Sequence, residues 1–148
     1  MKKFSLVAAL LMLCFFDTNA QTQNNPTEGP MWRISLYKVK PGRLSDVLAH
    51  WRRNFRAIND EMKRQSVIVD YRVYVNTTTD GPDDWDVATA IAYKNWAALD
   101  GLGEKADAIT LKHYGSWEKR QQAIEELNQM RQLVSSRLMT ELTLTPIQ

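Results

Sequence analysis

The sequence holds one cysteine in 148 residues, Cys14, and two histidines, His50 and His113. The lone cysteine sits in an apolar run, Phe4 to Phe16, that follows Met1-Lys2-Lys3 and precedes Asp17-Thr18-Asn19-Ala20. A basic start, a short apolar stretch and a small residue before Gln21 are the three parts of a secretory signal. Residues 1–20 are therefore expected to be removed after Ala20, and the remainder exported to a periplasm or to the outside. A lipid anchor on Cys14 would need a small residue before it, where Leu13 stands. The mature chain then has no disulfide, thiolate nucleophile or cysteine metal ligand, and a packed core must hold it, for which about 128 residues suffice. No later run approaches the roughly 20 apolar residues of a membrane helix. An excess of one charge is also missing. Removing Lys2, Lys3 and Asp17 with the signal lowers the formal net charge from +2 to +1, which argues against nucleic acid or anionic lipid as the main partner. There is no phosphate-binding glycine loop, no Ser-centred nucleophile elbow and no His-Glu-x-x-His run. Gly101-Leu102-Gly103 lacks the third glycine of a dinucleotide fingerprint, and no internal repeat at solenoid spacing is present.

What is present alternates between two periods. Residues 21–30 are polar, contain Pro26 and read as a flexible leader to one domain, 31–148. Met31 to Lys40 repeats every second residue, which predicts a strand ended by Pro41-Gly42. Leu44, Val47, Leu48, Trp51, Phe55, Ile58 and Met62 then step by three and four, an apolar stripe down a helix of about six turns. Val67 to Asn76 and Trp85 to Lys94 alternate again, joined by the turn residues Thr77 to Asp84, and predict a hairpin. Asn95 is suited to cap a helical turn from Trp96 to Asp100, and helix resumes near Glu104. Gly115 separates it from a longer helix over about Ser116 to Val134, and Leu138 to Leu144 make a last strand before Pro146.

The order βαββαβ predicts an α+β, ferredoxin-like domain: a four-stranded antiparallel sheet with both helical segments on one face. Trp32, Ile34, Leu36, Val69, Tyr71, Val73, Leu138, Leu142 and Leu144 are assigned to the helix side. The other face would carry Arg33, Ser35, Tyr37, Ile68, Asp70, Arg72, Tyr74, Met139, Glu141 and Thr143, a mixture of aromatic, apolar and charged groups that suits a partner surface or cleft.

The run Ile34-Ser35-Leu36-Tyr37-Lys38-Val39-Lys40-Pro41-Gly42, the amphipathic helix after it, and Ala92-Tyr93-Lys94-Asn95-Trp96 resemble the dimeric α+β barrel superfamily, which includes antibiotic-biosynthesis-type monooxygenases, NIPSNAP-like proteins and uncharacterised small exported proteins. The likeness covers roughly Met31 to Ala108 and the last strand. It implies a homodimer in which two sheets face each other to close a barrel, and says far less about chemistry. Haem-degrading members use a histidine with an asparagine and a tryptophan. Asn95 and Trp96 read instead as a cap and a core anchor, so no cofactor is expected.

The leading candidate site is the set Arg33, Tyr37, Asp70, Arg72, Tyr74 and Glu141. Arginines can hold a carboxylate or enolate oxygen, a tyrosine can transfer a proton, and a carboxylate can act as base. The bland alternative makes Arg33 with Glu141, and Arg72 with Asp70 or with an acid of a partner chain, interface ion pairs. His50 reads as a flank residue of its helix and His113 as a residue on a pocket rim. Asp80, Asp83, Asp84 and Asp86 crowd the hairpin turn without the spacing of an EF-hand, so a solvated turn and no metal are expected. These features together predict an exported homodimer that binds a small organic molecule. Cofactor-free oxidation or isomerisation is one reading, and a non-catalytic binding or interaction module the other.

Overall fold

The computed structural model of the chain describes residues 26–78 and 80–144. The expected signal peptide, its cleavage point, Cys14, the first part of the leader and Pro146 lie outside the described residues. Strand β1 (Thr27–Val39) leads into helices α1 (Leu44–Arg53) and α2 (Phe55–Arg64). Strands β2 (Asp70–Val75) and β3 (Val87–Tyr93) follow, then a 3-10 turn (Trp96–Leu99), helices α3 (Leu102–Tyr114) and α4 (Trp117–Met130), and strand β4 (Arg131–Thr143). The sheet runs β2-β3-β1-β4 with every neighbouring pair antiparallel. This is the expected α+β, ferredoxin-like arrangement, and the four helices pack on one face.

Two clusters make the core beneath those helices. Met31, Ile58, Met62, Ile68, Tyr93 and Ile109 form one; Val39, Val47, Trp51, Val87 and Met130 form the other. The strand residues in them fix which face is which. Met31 pairs with Tyr93 and Val75 with Val87, so the odd positions of β1 point at the helices. The expected sides of β1 are thus exchanged: Arg33, Ser35 and Tyr37 face the helices, and Trp32, Ile34 and Leu36 face the open side. Alternation reveals which residues share a face, but both faces of β1 carry apolar groups, and only its partners decide the outcome. Ile68 is also corrected. It precedes β2 and is buried in the first cluster, while Val69, expected inside, is 47% exposed.

Two boundaries moved for one reason. β1 begins at Thr27, inside the expected leader, and β4 begins at Arg131, inside the expected last helix. The two strands pair along their whole length, from Val39 with Arg131 to Thr27 with Thr143, and this long ladder overrides the local helical period. The pairing shifts register twice. Between Leu36 and Tyr37 it skips Val134, and near Gly29 two β1 residues oppose Glu141. A Cβ on Gly29 would lie 3.3 Å from the Glu141 Cβ, so a larger residue here would push Glu141 back by a few tenths of an ångström.

The single helix expected after β1 is divided at Asn54, although its backbone N–H still donates to the His50 carbonyl and its carbonyl accepts from Ile58. The Asn95 side chain accepts from the Ala98 N–H at 3.1 Å, the predicted cap. Its neighbour Trp96 is 53% exposed and is no core anchor.

Candidate functional site

The sheet divides the six expected site residues between two places. Asp70, Arg72, Tyr74 and Glu141 stand on the open face, as expected, and Arg33 and Tyr37 do not.

On the open face, β3 contributes only Ala88, Ala90 and Ala92, a low floor between β2 and β1. The Arg72 side chain crosses that floor and lies with Cζ 5.1 Å from the Trp32 ring centroid. Trp32 Nε1 donates to Glu141 Oε2 at 2.8 Å, and Asp70 receives Lys63 at 2.9 Å and Arg72 at 3.5 Å. The expected Arg72–Asp70 pair is therefore present, and the Arg33–Glu141 pair is not, because the two side chains lie on opposite faces. The Lys63 ammonium and the Tyr71 backbone N–H hold the Asp70 carboxyl below its usual range, and contact with the Tyr74 hydroxyl and with Asp70 raises Arg72 further. A carboxylate so held is a weak base, and this exposed set is a clasp across an alanine floor.

Under the helices the sheet meets a cleft of about 580 Å³, bounded by Phe55, Met62, Ile91, Tyr93, Leu102 and Arg33 among others. Its walls are largely aliphatic and aromatic. The Arg33 guanidinium lies 5.4 Å from the Tyr93 ring centroid, and among the described residues it has no ion-pair partner. Arg120, on the same cleft, is held by Asp107 at 2.9 Å. Burial raises the Tyr93 phenol, with Arg33 opposing, so Tyr93 offers the cleft a neutral hydroxyl. Asn59 is buried, its amide nitrogen donating to the Phe55 carbonyl at 2.7 Å and its Oδ1 left without a donor among the described residues.

Beside this cleft a smaller recess of about 140 Å³ is lined by Tyr37, His50, Trp51, Asn54, Thr89 and Arg131, with apolar Phe55, Ile58 and Leu127. An aromatic chain runs past it: Tyr37 to Trp51 at 5.7 Å, Trp51 to Phe55 at 6.0 Å and Phe55 to Tyr71 at 5.7 Å between centroids. Burial alone would push the Tyr37 phenol up. Arg131, with the Thr89 and Ser35 hydroxyls, more than offsets that, and the phenol sits below its ordinary range. His50, 5% exposed, is more buried than a flank residue, and burial is the main cause that lowers its pKa. Asn54 joins the two histidines: its amide nitrogen donates to His50 Nε2 at 3.2 Å, and its Oδ1 accepts from His113 Nε2 at 3.0 Å. His113 is exposed at the outer end of this relay.

Two of the four hairpin-turn carboxylates are engaged, one within the loop and one with β1. Asp84 accepts from the Asn76 side chain and from the Asp80 and Trp85 backbones, and Asp86 holds Lys38 and the Val39 N–H. Among the described residues, no three His, Cys, Asp or Glu side chains gather to hold a metal ion, and no helix is long and apolar enough to cross a membrane.

No family model matches the chain, and no curated protein matches it. Among solved structures it is similar to a NIPSNAP family protein with unknown function from Agrobacterium tumefaciens str. C58, at 11% identity over 81% of this chain and 95% of that one, TM-score 0.50. It is also similar to HapK from Hahella chejuensis (14% identity, 76% and 92% covered, TM-score 0.48). A third likeness is to a dimeric protein of unknown function and ferredoxin-like fold from Bacteroides fragilis NCTC 9343 (19%, 77% and 96%, TM-score 0.42). At these identities the Agrobacterium likeness supports the fold alone.

Proposed function

We propose that this is an exported protein that binds a small, largely apolar organic molecule in the cleft between the sheet and α2–α3, with Arg33 meeting its carboxylate or phenolate oxygen. One observation carries the reading: in a cleft walled by Phe55, Met62, Ile91 and Leu102, the Arg33 cation has no counter-ion among the described residues, while its neighbour Arg120 has one. A guanidinium in such surroundings attracts an anionic group, and the walls select an apolar body. Export rests on the reading of residues 1–20. If the molecule is turned over, Arg33 would stabilise a developing enolate or phenolate oxygen, as cofactor-free isomerisation or oxidation requires. Native mass spectrometry of the protein from an exported fraction tests this. A stoichiometric small-molecule adduct is expected, lost in Arg33→Met; an adduct retained by that variant overturns the assignment of the cleft.

A second reading concerns the open face and a homodimer. Its support is the clasp of Arg72 over Trp32 above the alanine floor, flanked by half-exposed Tyr74 and Met139, a surface suited to a partner rather than to water. Under this reading Asp70, Arg72, Tyr74 and Glu141 fix the assembly. Arg72→Ala and Tyr74→Phe would then weaken the dimer and leave the adduct intact.

A further inference from the structure

We propose that the recess behind Tyr37 is a second binding site, for one small monocarboxylate of formate to propionate size, with Arg131 as its counter-charge. It shares only Phe55 with the Arg33 cleft, and it stands or falls separately.

Arg131 opens β4 directly after α4, and its side chain is turned inward onto β1. The guanidinium carbon lies 3.5 Å from the Tyr37 ring centroid and 5.3 Å from that of Trp51. Nε and Nη1 are sealed from solvent and have no acceptor among the described residues. Among the described residues no carboxylate lies within ion-pair distance of it. The Tyr37 hydroxyl is one hydrogen-bond partner of the guanidinium, but ring faces accept none of its in-plane N–H bonds, so the desolvation of Nε and Nη1 is uncompensated. Such a group calls for an anion with oxygen acceptors.

The rest of the recess says which anion. A recess of about 140 Å³ is close to a cavity of about 150 Å³ that holds benzene, so a few heavy atoms fill it. One guanidinium balances one negative charge, which disfavours a phosphate dianion. Thr89 and Tyr37 bring hydroxyls, and Phe55, Ile58 and Leu127 are suited to a short alkyl tail. His50 Nε2 accepts from Asn54, which leaves the proton on Nδ1, a buried N–H on which the Ala123 carbonyl acts. The other charged groups acting on this histidine are Arg53 and Glu126, on α1 and α4.

Thermal unfolding of the full chain with sodium acetate, against sodium chloride at equal ionic strength, reads the site directly. Acetate should raise the midpoint by several degrees and saturate. Arg131→Met should abolish the response, and Arg33→Met should leave it unchanged. Should Arg131→Met fail to fold, the wild-type chain still answers by tyrosinate absorbance. Saturating acetate should move the first tyrosine to ionise, Tyr37, to higher pH, because the anion takes over Arg131. Equal shifts with acetate and chloride would overturn the proposal. So would an unmoved first step, or tyrosinate already formed at neutral pH without acetate, since the phenolate would then be the missing counter-ion.

Discussion

Met31→Ala and Ile34→Ala form a pair whose difference tests the exchange of faces that puts Arg33 and Tyr37 under the helices. Met31 is 1% exposed and packs among Ile58, Met62, Ile68, Tyr93 and Ile109. Truncating a buried methionine removes its transfer free energy and leaves a cavity, together about 2–5 kcal/mol. Because these neighbours come from four separate segments that cannot all close in, about 3–4 kcal/mol is expected, or a midpoint lowered by roughly 10–15 °C at this size. Ile34 is half-buried on the open face between Ala90 and Arg137, and its truncation leaves no enclosed cavity. Its cost is expected at about 1 kcal/mol in dilute solution. Urea unfolding followed by tryptophan fluorescence, repeated over a wide range of protein concentration, measures both. A Met31→Ala cost below 1 kcal/mol, with Ile34→Ala the more damaging at the lowest concentration, would refute the face assignment. A cost of Ile34→Ala that grows with concentration would leave it intact and show the open face to be covered by another copy.

The titrating groups give two further tests. His50 titrates lower in the folded chain than its ordinary 6.5 because burial disfavours its charged form. Below that ordinary value the unfolded chain binds the proton more readily, so stability should hold above about pH 6.5 and decline as pH falls through it. His50→Gln should flatten that limb of a pH–stability curve, and an unchanged limb would refute the assignment. The Tyr71 phenol is pushed up to about 12 by burial and by its 2.5 Å hydrogen bond to Asp60. Asp60→Asn should bring its tyrosinate step down toward the ordinary range. An unmoved step would leave burial as the whole cause.

Much of the fold was legible in the sequence. The strand and helix periods, the hairpin, the cap at Asn95 and the βαββαβ order all correspond to observed elements. The site was half legible. Asp70, Arg72, Tyr74 and Glu141 share the face expected of them, since β2 is clearly sided and Met139 and Glu141 follow the β4 alternation. Arg33 and Tyr37 went to the other side because Trp32, Ile34 and Leu36 look like a core stripe, while Met31 and Val39, both deeply buried, bracket the true one. Arg131 was missed altogether. Residues 131–134 fit the end of a helix as well as the start of a strand, and the signal that separates the two, pairing with β1, is not local. Asn54 likewise sits inside a continuous apolar stripe, and its use by two histidines depends on α3 arriving alongside.

The skipped residue at Val134 decides the parity of β4. Ser136, Leu138 and Thr140 oppose Ser35, Arg33 and Met31, so even-numbered residues turn inward on that stretch; before Val134, the inward positions are Leu133 and Arg131. Were the strand to run without this irregularity, Gln132 would take the place opposite Val39 and the guanidinium would emerge into solvent. The interior cation is thus specified by a count as much as by a residue type. A one-residue deletion at position 134 removes the extra residue itself, so it closes the ladder into a regular one with Arg131 still opposite Val39. Among relatives of this chain, then, an arginine at this place belongs to the interior where the residue before Ser135 is looped out of the ladder or is missing, and to the open face where that residue is kept and paired.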